Sequence, residues 1–110
     1  MKLITDCCEI IMESARNGVV CNILSMAIAG GTSPVTLAGT LVTHNAEILG
    51  GLTLSQLVKR GAPVIYGSST TAMDLQIGAA SVGTPECAVI SGAVARLARY
   101  YALPSYVAGG

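Results

Sequence analysis

Apolar side chains recur at helical spacing in three stretches of the chain, with short apolar runs between these stretches. Over Leu3–Arg16 one face is apolar and the opposite face is acidic. The apolar set is Ile4, Cys8, Ile11 and Ala15, and the acidic set is Asp6, Glu9 and Glu13. This pattern predicts an amphipathic surface helix, which Asn17 and Gly18 can end with a left-handed cap.

Three apolar runs each lead into glycines and hydroxyl side chains, and we interpret them as β-strands. They are Val19–Ile28, Pro63–Gly67 and Ser105–Ala108. The first run has apolar residues on both faces, which is typical of parallel strands that helices cover on both sides. We therefore predict that the three strands pair in parallel.

Long helices follow the first two strands. Ser33 and Pro34 predict the start of a helix, because the serine can cap free amides and proline lacks an N–H. We expect this helix to run to about Arg60 and to be capped by Gly61. Thr84 and Pro85 predict a second start in the same way, with the helix ending near Tyr101.

The order strand, Gly-hydroxyl loop, helix therefore repeats along the chain. Such βα units belong to an open α/β sheet or to a segment of a (β/α)8 barrel. A barrel needs eight strands, so about three parallel βα units make only part of one. From the residues alone, an open sheet and a barrel segment both stay open for residues 1–110.

Composition narrows the possible partners. Of the 110 residues 52% are hydrophobic and 11% are charged, and the net charge is zero, which argues against nucleic acid. Because so few side chains are charged, part of the surface must be apolar, and we expect a partner or further parts of the fold to cover it. The uncharged run from Asn17 to Ala46 is interrupted by GGTSP, so we expect no membrane span.

The cysteines and the N-terminus indicate a reducing compartment. Cys7, Cys8, Cys21 and Cys87 lack the CxxC spacing of a zinc or redox site, and we interpret them as reduced core thiols. Asp6, Glu9 and Glu13 interrupt what would be the apolar part of a signal peptide. We expect a cytoplasmic protein.

The loops after the strands, Ala29–Ser33, Gly67–Asp74 and Ala108–Gly110, are where α/β proteins build their sites. The candidate substrate-binding residues are Gly31, Thr32, Tyr66, Ser68, Asp74 and Tyr106. Loop amides can bind an anion, the tyrosines can face an organic cation, and Asp74 can supply a carboxylate. Each also has an ordinary role, as helix cap, core ring or turn residue.

Other ionisable residues fit structural roles better. His44 and Glu47 lie one turn apart in the long helix, and we expect them to be too far along it to reach the strand ends. Glu86 suits the positive end of a helix dipole. We find no Ser-His-Asp triad or metal-ligand grouping, so no catalytic residue is assigned.

The segments AGGTSPVTLAGTLVTHNAEILGGL, GAPVIYG, GTPE and ARYYALPSYVAGG, in this order, resemble the trimethylamine and quaternary-amine corrinoid methyltransferase family. The resemblance covers nearly the whole chain. It implies that residues 1–110 form a single internal fragment of a TIM-barrel methyltransferase domain. Such a protein moves a methyl group from an amine to the Co(I) of a separate corrinoid protein, as in methanogenesis. The resemblance further implies that no cofactor is bound directly, that the full-length protein is an oligomer, and that the isolated chain is inactive.

The resemblance also draws attention to Gly110. Some family members that act on trimethylamine carry pyrrolysine, encoded by an in-frame amber codon, near this point of the barrel, whereas relatives without it act on quaternary amines such as glycine betaine. An amber codon after Gly110, with homologous sequence beyond it, would indicate trimethylamine. An ordinary sense codon would indicate a quaternary amine.

Two other interpretations stay open from the residues alone. A small stand-alone α/β binding module would be a stable monomer with a cooperative thermal transition. A small membrane-associated protein would need detergent to stay in solution.

Overall fold

The structure, a computed structural model, describes residues 3–108 and contains three helices and six strands in that range. In chain order these are α1 (Thr5–Arg16), β1 (Cys21–Ser25), β2 (Ile28–Ala29), α2 (Leu37–Val58), β3 (Val64–Ser68), β4 (Thr71–Asp74), β5 (Ala79–Ser81), α3 (Pro85–Tyr100) and β6 (Ser105–Val107). The glycines of the predicted loop Ala108–Gly110 lie outside the described residues.

The main sheet has the strand order β1-β3-β6, and both strand pairs are parallel. Ser25 is opposite Ser68, and Ser68 is opposite Val107, so the three strands end at the same level. The predicted parallel pairing of these strands is thus confirmed. The described strands form two open sheets and no closed barrel.

The core lies between the main sheet and the helices α2 and α3. Its buried members are Ile23, Ile48, Val64, Tyr66, Ile90, Val94 and Ala98. Because side chains alternate along a strand, Asn22 and Leu24 of β1 project from the opposite side of the sheet, where both are exposed. The expectation of helices over both faces is therefore wrong for the part of the chain that the structure describes.

A second, smaller sheet was missed by the sequence pattern. In it β2 pairs in parallel with β4, and β4 pairs antiparallel with β5. The predicted strand Val19–Ile28 is in fact divided between two sheets, because its partner β3 offers a ladder of only five residues. The chain leaves the main sheet at Ser25 and re-enters regular structure at Ile28.

The two long helices differ in how well their starts were predicted. α3 begins at Pro85 with Thr84 as its cap, as predicted. α2 begins at Leu37 rather than at Pro34, because Thr36 has the extended backbone of a cap and accepts a hydrogen bond from the Gly39 amide at 3.2 Å. The predicted cap for α2, Ser33, instead shares a 3.1 Å hydrogen bond with the hydroxyl of Thr40.

The ends of α1 and α2 lie close to the positions predicted from Gly18 and Gly61. Gly18 follows α1 with a φ of 67°, and Gly61 follows α2 with a φ of 85°. These left-handed conformations favour glycine over residues that carry a Cβ. α2 itself ends at Val58, two residues before the predicted Arg60.

Candidate functional site

The carboxyl ends of β1, β3 and β6 form one edge of the main sheet, and the smaller sheet lies next to this edge. The ladder continues for one residue past two of the strands: the Ser69 amide donates to the Ser25 carbonyl at 2.8 Å, and the Ala108 amide donates to the Ser68 carbonyl at 2.9 Å. In α/β proteins this edge is where ligands bind.

A cavity of ≈ 220 Å³ lies at this edge, and we call it the strand-end cavity. Residues just after the three main strands line it: Met26, Ser69 and Ala108. The smaller sheet contributes Ile28, Thr71 and Ala80, Val82 lies just after it, and the first turn of α3 contributes Cys87. The lining is mostly apolar, and among residues 3–108 it includes no charged and no aromatic side chain. Burial of methyl groups against such a surface is favourable, whereas a charged group would lose its hydration there without gaining a partner.

The predicted anion-binding loop uses its amides internally. The amides of Gly31, Thr32 and Ser33 all donate to the carbonyl of Ile28, at 3.0 to 3.1 Å. The hydroxyl of Thr32 accepts from the Ile28 amide at 3.0 Å. Gly31 packs closely against Met73: a Cβ there would lie 2.5 Å from the terminal methyl group of that side chain, which would have to move.

Two of the predicted site residues are buried on the helix side of the sheet. The Tyr66 hydroxyl donates to Asn45 Oδ1 at 2.9 Å, and burial raises the pKa of Tyr66 to about 12 with a further contribution from Tyr101. The ring meets His44 edge-on at a centroid distance of 5.3 Å. Ser68 accepts a 3.1 Å hydrogen bond from the Thr70 amide.

The other two predicted residues lie apart from the strand-end cavity. Asp74 Oδ1 accepts from the amides of Gln76 and Ile77, at 2.9 and 3.4 Å, and so closes the turn between β4 and β5. Tyr106 is half exposed, and its register partner is Gly67. Of the six candidates, only Ser68 is adjacent in sequence to a cavity residue, Ser69.

His44 and Glu47 were expected to be too far from the strand ends, and this expectation is wrong. Glu47 Oε2 accepts a 2.6 Å hydrogen bond from Ser25 Oγ at the end of β1. His44 Nδ1 lies 3.3 Å from the Thr70 hydroxyl, just after β3. Both side chains reach this edge because the first half of α2 packs directly behind it. The available signal was a pair of ionisable residues inside an otherwise uncharged helix.

The imidazole of His44 is neutral at neutral pH. Burial lowers its pKa to about 4, and the nearby charge of Glu47 opposes this shift only in part. The Nε2 atom is buried and has no hydrogen-bond partner within residues 3–108. His44 is thus a neutral group in the wall behind the strand ends.

Possible metal ligands are dispersed in the part of the chain that is described. Residues 3–108 contain no cluster of three or more His, Cys, Asp or Glu side chains that could hold a metal ion. Their four cysteines are free thiols, and Cys87 is buried whereas Cys7 is exposed, so the interpretation as core thiols is wrong for Cys7. In the same range no helix combines the length and apolar character needed to cross a bilayer.

The parallel sheet, its helices and the strand-end cavity define a portion of an α/β protein with a cavity at the carboxyl ends of its strands. Comparison with known proteins identifies the family within this class. A family model described as trimethylamine methyltransferase matches residues 1–110. The chain belongs to the trimethylamine methyltransferase family.

Individual relatives agree with this assignment. The trimethylamine methyltransferase MttB of Methanosarcina barkeri (strain Fusaro) is 59% identical over 109 residues, which are 99% of this chain and 22% of that protein. Its namesake from Desulfitobacterium hafniense (strain DCB-2) is 56% identical over 110 residues, with 100% and 22% covered. A glycine betaine methyltransferase of Desulfitobacterium hafniense (strain Y51) is 46% identical over 100 residues, with 91% and 21% covered. The chain thus spans about a fifth of the length of these relatives.

Proposed function

We propose that the full-length protein containing this chain moves a methyl group from trimethylamine, or from a quaternary amine such as glycine betaine, to a corrinoid cofactor on a separate protein. The observation that carries the proposal is the family match over residues 1–110, together with identities of 56 to 59% to proteins named for trimethylamine. The lower identity of 46% to a protein named for glycine betaine favours trimethylamine as the first substrate to test.

The proposed architecture is a (β/α)8 barrel to which this chain contributes the adjacent strands β1, β3 and β6. The open sheet edges at β1 and β6 offer backbone groups with which further strands can pair. The exposed side of the sheet, which carries Leu24 and Tyr106, would then face the barrel interior. We expect the complete protein to be cytoplasmic and oligomeric.

The strand-end cavity is the part of this chain that we assign to the substrate. Its apolar lining can pack against the methyl groups of the amine and keep water from them. The corrinoid of the partner protein supplies the group that accepts the methyl. During transfer the C–N bond breaks, and its electron pair stays on nitrogen, so the amine leaves with one methyl group fewer.

The charge of the amine sets what else the site must provide. A quaternary amine already carries the positive charge that makes its nitrogen a good leaving group. Neutral trimethylamine does not, so an electrophile must first take up the nitrogen lone pair. The uncharged lining of the cavity is compatible with a neutral amine, since no carboxylate or aromatic ring among its residues is placed to hold a cation.

Methyl transfer by the full-length protein tests the proposal directly. The purified protein is mixed with reduced corrinoid protein and with either trimethylamine or glycine betaine. We expect one of the two amines to change the visible spectrum of the corrinoid and to yield its demethylated product by mass spectrometry. Spectra and products that match the amine-free control for both amines would refute the proposed function.

A matched pair of variants tests the assignment of the strand-end cavity. Ala80 lines the cavity, whereas its neighbour Ala79 is not among the lining residues. Ala80→Leu fills part of the cavity, and we expect it to raise the KM for the amine by about tenfold or more. Ala79→Leu adds the same volume and should leave the KM unchanged. Equal effects of the two variants would place the substrate elsewhere.

A further inference from the structure

Three polar side chains follow one another along one side of the first half of α2. Thr40, His44 and Glu47 are spaced by four and three residues and therefore share one helix face. Thr40 and His44 are fully buried. Glu47 contacts Ser25 at the end of β1 and His44 contacts Thr70 after β3, whereas Thr40 donates to the carbonyl of Pro34 in the loop before α2. We call these three residues the polar stripe of α2.

Glu47 fixes the point where β1 ends. Its carboxylate accepts the hydrogen bond from the Ser25 hydroxyl, and Ser25 is only 3% exposed. The carbonyl of Ser25 in turn accepts from the Ser69 amide at 2.8 Å. The next residue, Met26, and Ser69 both line the strand-end cavity. The Glu47 carboxylate is therefore connected through Ser25 to Met26 and Ser69, two residues of the cavity wall.

His44 supports the same wall from one turn earlier in the helix. Its Nδ1 contacts the Thr70 hydroxyl, and the Thr70 amide donates to Ser68 Oγ. Thr70 lies between Ser69 and Thr71, both of which line the strand-end cavity. The segment after β3 is thus held by a side chain of α2 on one side and by its own serine on the other.

We propose that Glu47 and His44 are positioning residues for the strand-end cavity: without touching the substrate, they fix the backbone after β1 and β3 that forms its wall. The inference rests on the proposed function, because it takes the cavity to be the amine site. A short hydrogen bond to a carboxylate restricts its partner more strongly than a bond between neutral groups. Supports of this kind keep wall residues in their productive places.

The same helix provides a control at its other end. Gln56 accepts a hydrogen bond from the Gly61 amide at 2.8 Å and donates to the Ala62 carbonyl at 3.0 Å. These bonds fix the loop that precedes β3, at the amino ends of the strands. Gln56→Ala therefore removes side-chain hydrogen bonds of α2 without disturbing the strand-end cavity.

Steady-state kinetics of variants of the full-length protein separate positioning from general stabilisation. Glu47→Ala, Ser25→Ala and Thr70→Val are each expected to raise the KM for trimethylamine or glycine betaine about tenfold or more. Gln56→Ala should lower the Tm and keep the KM. Glu47→Gln should restore a nearly normal KM, because its amide oxygen can still accept from Ser25.

Backbone hydrogen exchange tests the inference without any turnover. In full-length Glu47→Ala we expect amides of residues 26–29 and 69–71 to exchange faster than in the parent, while Gln56→Ala leaves these segments unchanged. If the parent protein transfers no methyl group, the proposed function fails, and the exchange result still decides whether Glu47 holds the wall. Unchanged exchange in both segments, or a KM for Glu47→Ala equal to that of Gln56→Ala, would overturn the inference.

Discussion

Tyr66 shows how a single polar core residue connects three elements. Its hydroxyl donates to Asn45 of α2, and Asn45 Nδ2 donates to the hydroxyl of Tyr101, just after α3, at 3.0 Å. The two tyrosine rings stack at a centroid distance of 6.2 Å. Because a buried hydroxyl without a partner is costly, these bonds favour one arrangement of β3 against both helices. The geometry thus favours core packing for Tyr66 over contact with a cation.

His44 should make the stability of the fold depend on pH in a defined window. Its folded pKa of about 4 lies below its usual value of 6.5, so the folded state binds fewer protons than the unfolded state between these values. The stability it contributes is fully present above pH 6.5 and is lost as the pH falls towards 4. Each pH unit in this window costs up to about 1.4 kcal/mol.

Urea denaturation at several pH values between 7.5 and 4.5 would measure this contribution. We expect the parent protein to lose more stability across the window than His44→Gln, which cannot ionise at this position. All other ionisable side chains are the same in both proteins. The difference between the two slopes of unfolding free energy against pH therefore gives the contribution of His44. Parallel slopes would show that His44 is not the group responsible.

At the scale of elements, the main sheet depends on close contact between neighbouring strands. Gly67 of β3 lies next to Asn22 on β1, and a Cβ added there would lie 2.9 Å from the Ile23 carbonyl oxygen and still closer to the Asn22 side chain. The carbonyl belongs to the backbone of β1 and cannot move without disturbing the ladder. Gly67 is therefore required for this approach.

We predict that Gly67→Ala destabilises the protein by about 1–3 kcal/mol, because the added methyl group overpacks the contact with β1. Gly92 in α3 is the matched control, since nothing lies within 4 Å of a Cβ at this exposed helical position. Gly92→Ala should raise stability by about 0.5–1 kcal/mol. Thermal or urea denaturation of both variants would decide, and loss of stability in both would contradict this explanation.

On the scale of the whole molecule, helices cover one side of the main sheet and leave the other side open in the described chain. Leu24 is 47% exposed on that side, and Tyr106 is 54% exposed. On the helix side, by contrast, Tyr66, Ile48 and Ile90 are fully buried. An uncovered sheet face with open edges is a surface on which further strands or other chains can pack.

We predict that the purified 110-residue chain by itself transfers no methyl group, because three parallel strands cannot enclose an amine and a corrinoid together. The measurement is the corrinoid assay described above, with the full-length protein as positive control. Turnover of trimethylamine or glycine betaine by the 110-residue chain would show that the site is complete within it.

The elements with strong local signals were predictable from the sequence. Glycine at Gly18 and Gly61, the Thr84–Pro85 start of α3 and the three apolar runs all act through neighbouring residues, so they can be recognised without knowing the fold. The start of α2 was misplaced because Ser33 and Thr36 are both competent caps, and the local sequence does not decide between them.

The candidate site was less predictable than the fold for a physical reason. The turn role of Asp74 and the core role of Tyr66 were each recognised as alternatives, but the choice depends on contacts with residues far away in the chain. Glu47 and His44 gave only a weak signal, since nothing in their spacing reveals which loops they meet.

By itself the sequence determined the alternation of strands and helices, the parallel pairing of β1, β3 and β6, and the resemblance to corrinoid methyltransferases. These follow from patterns within about 30 residues and from consecutive motifs. Only the tertiary structure decided that a second sheet flanks the strand ends, that a cavity lies there and that the polar stripe of α2 stands behind it. Those features arise where segments distant in sequence meet, and a hydrogen bond such as that between Ser25 and Glu47 exists only once the chain has folded.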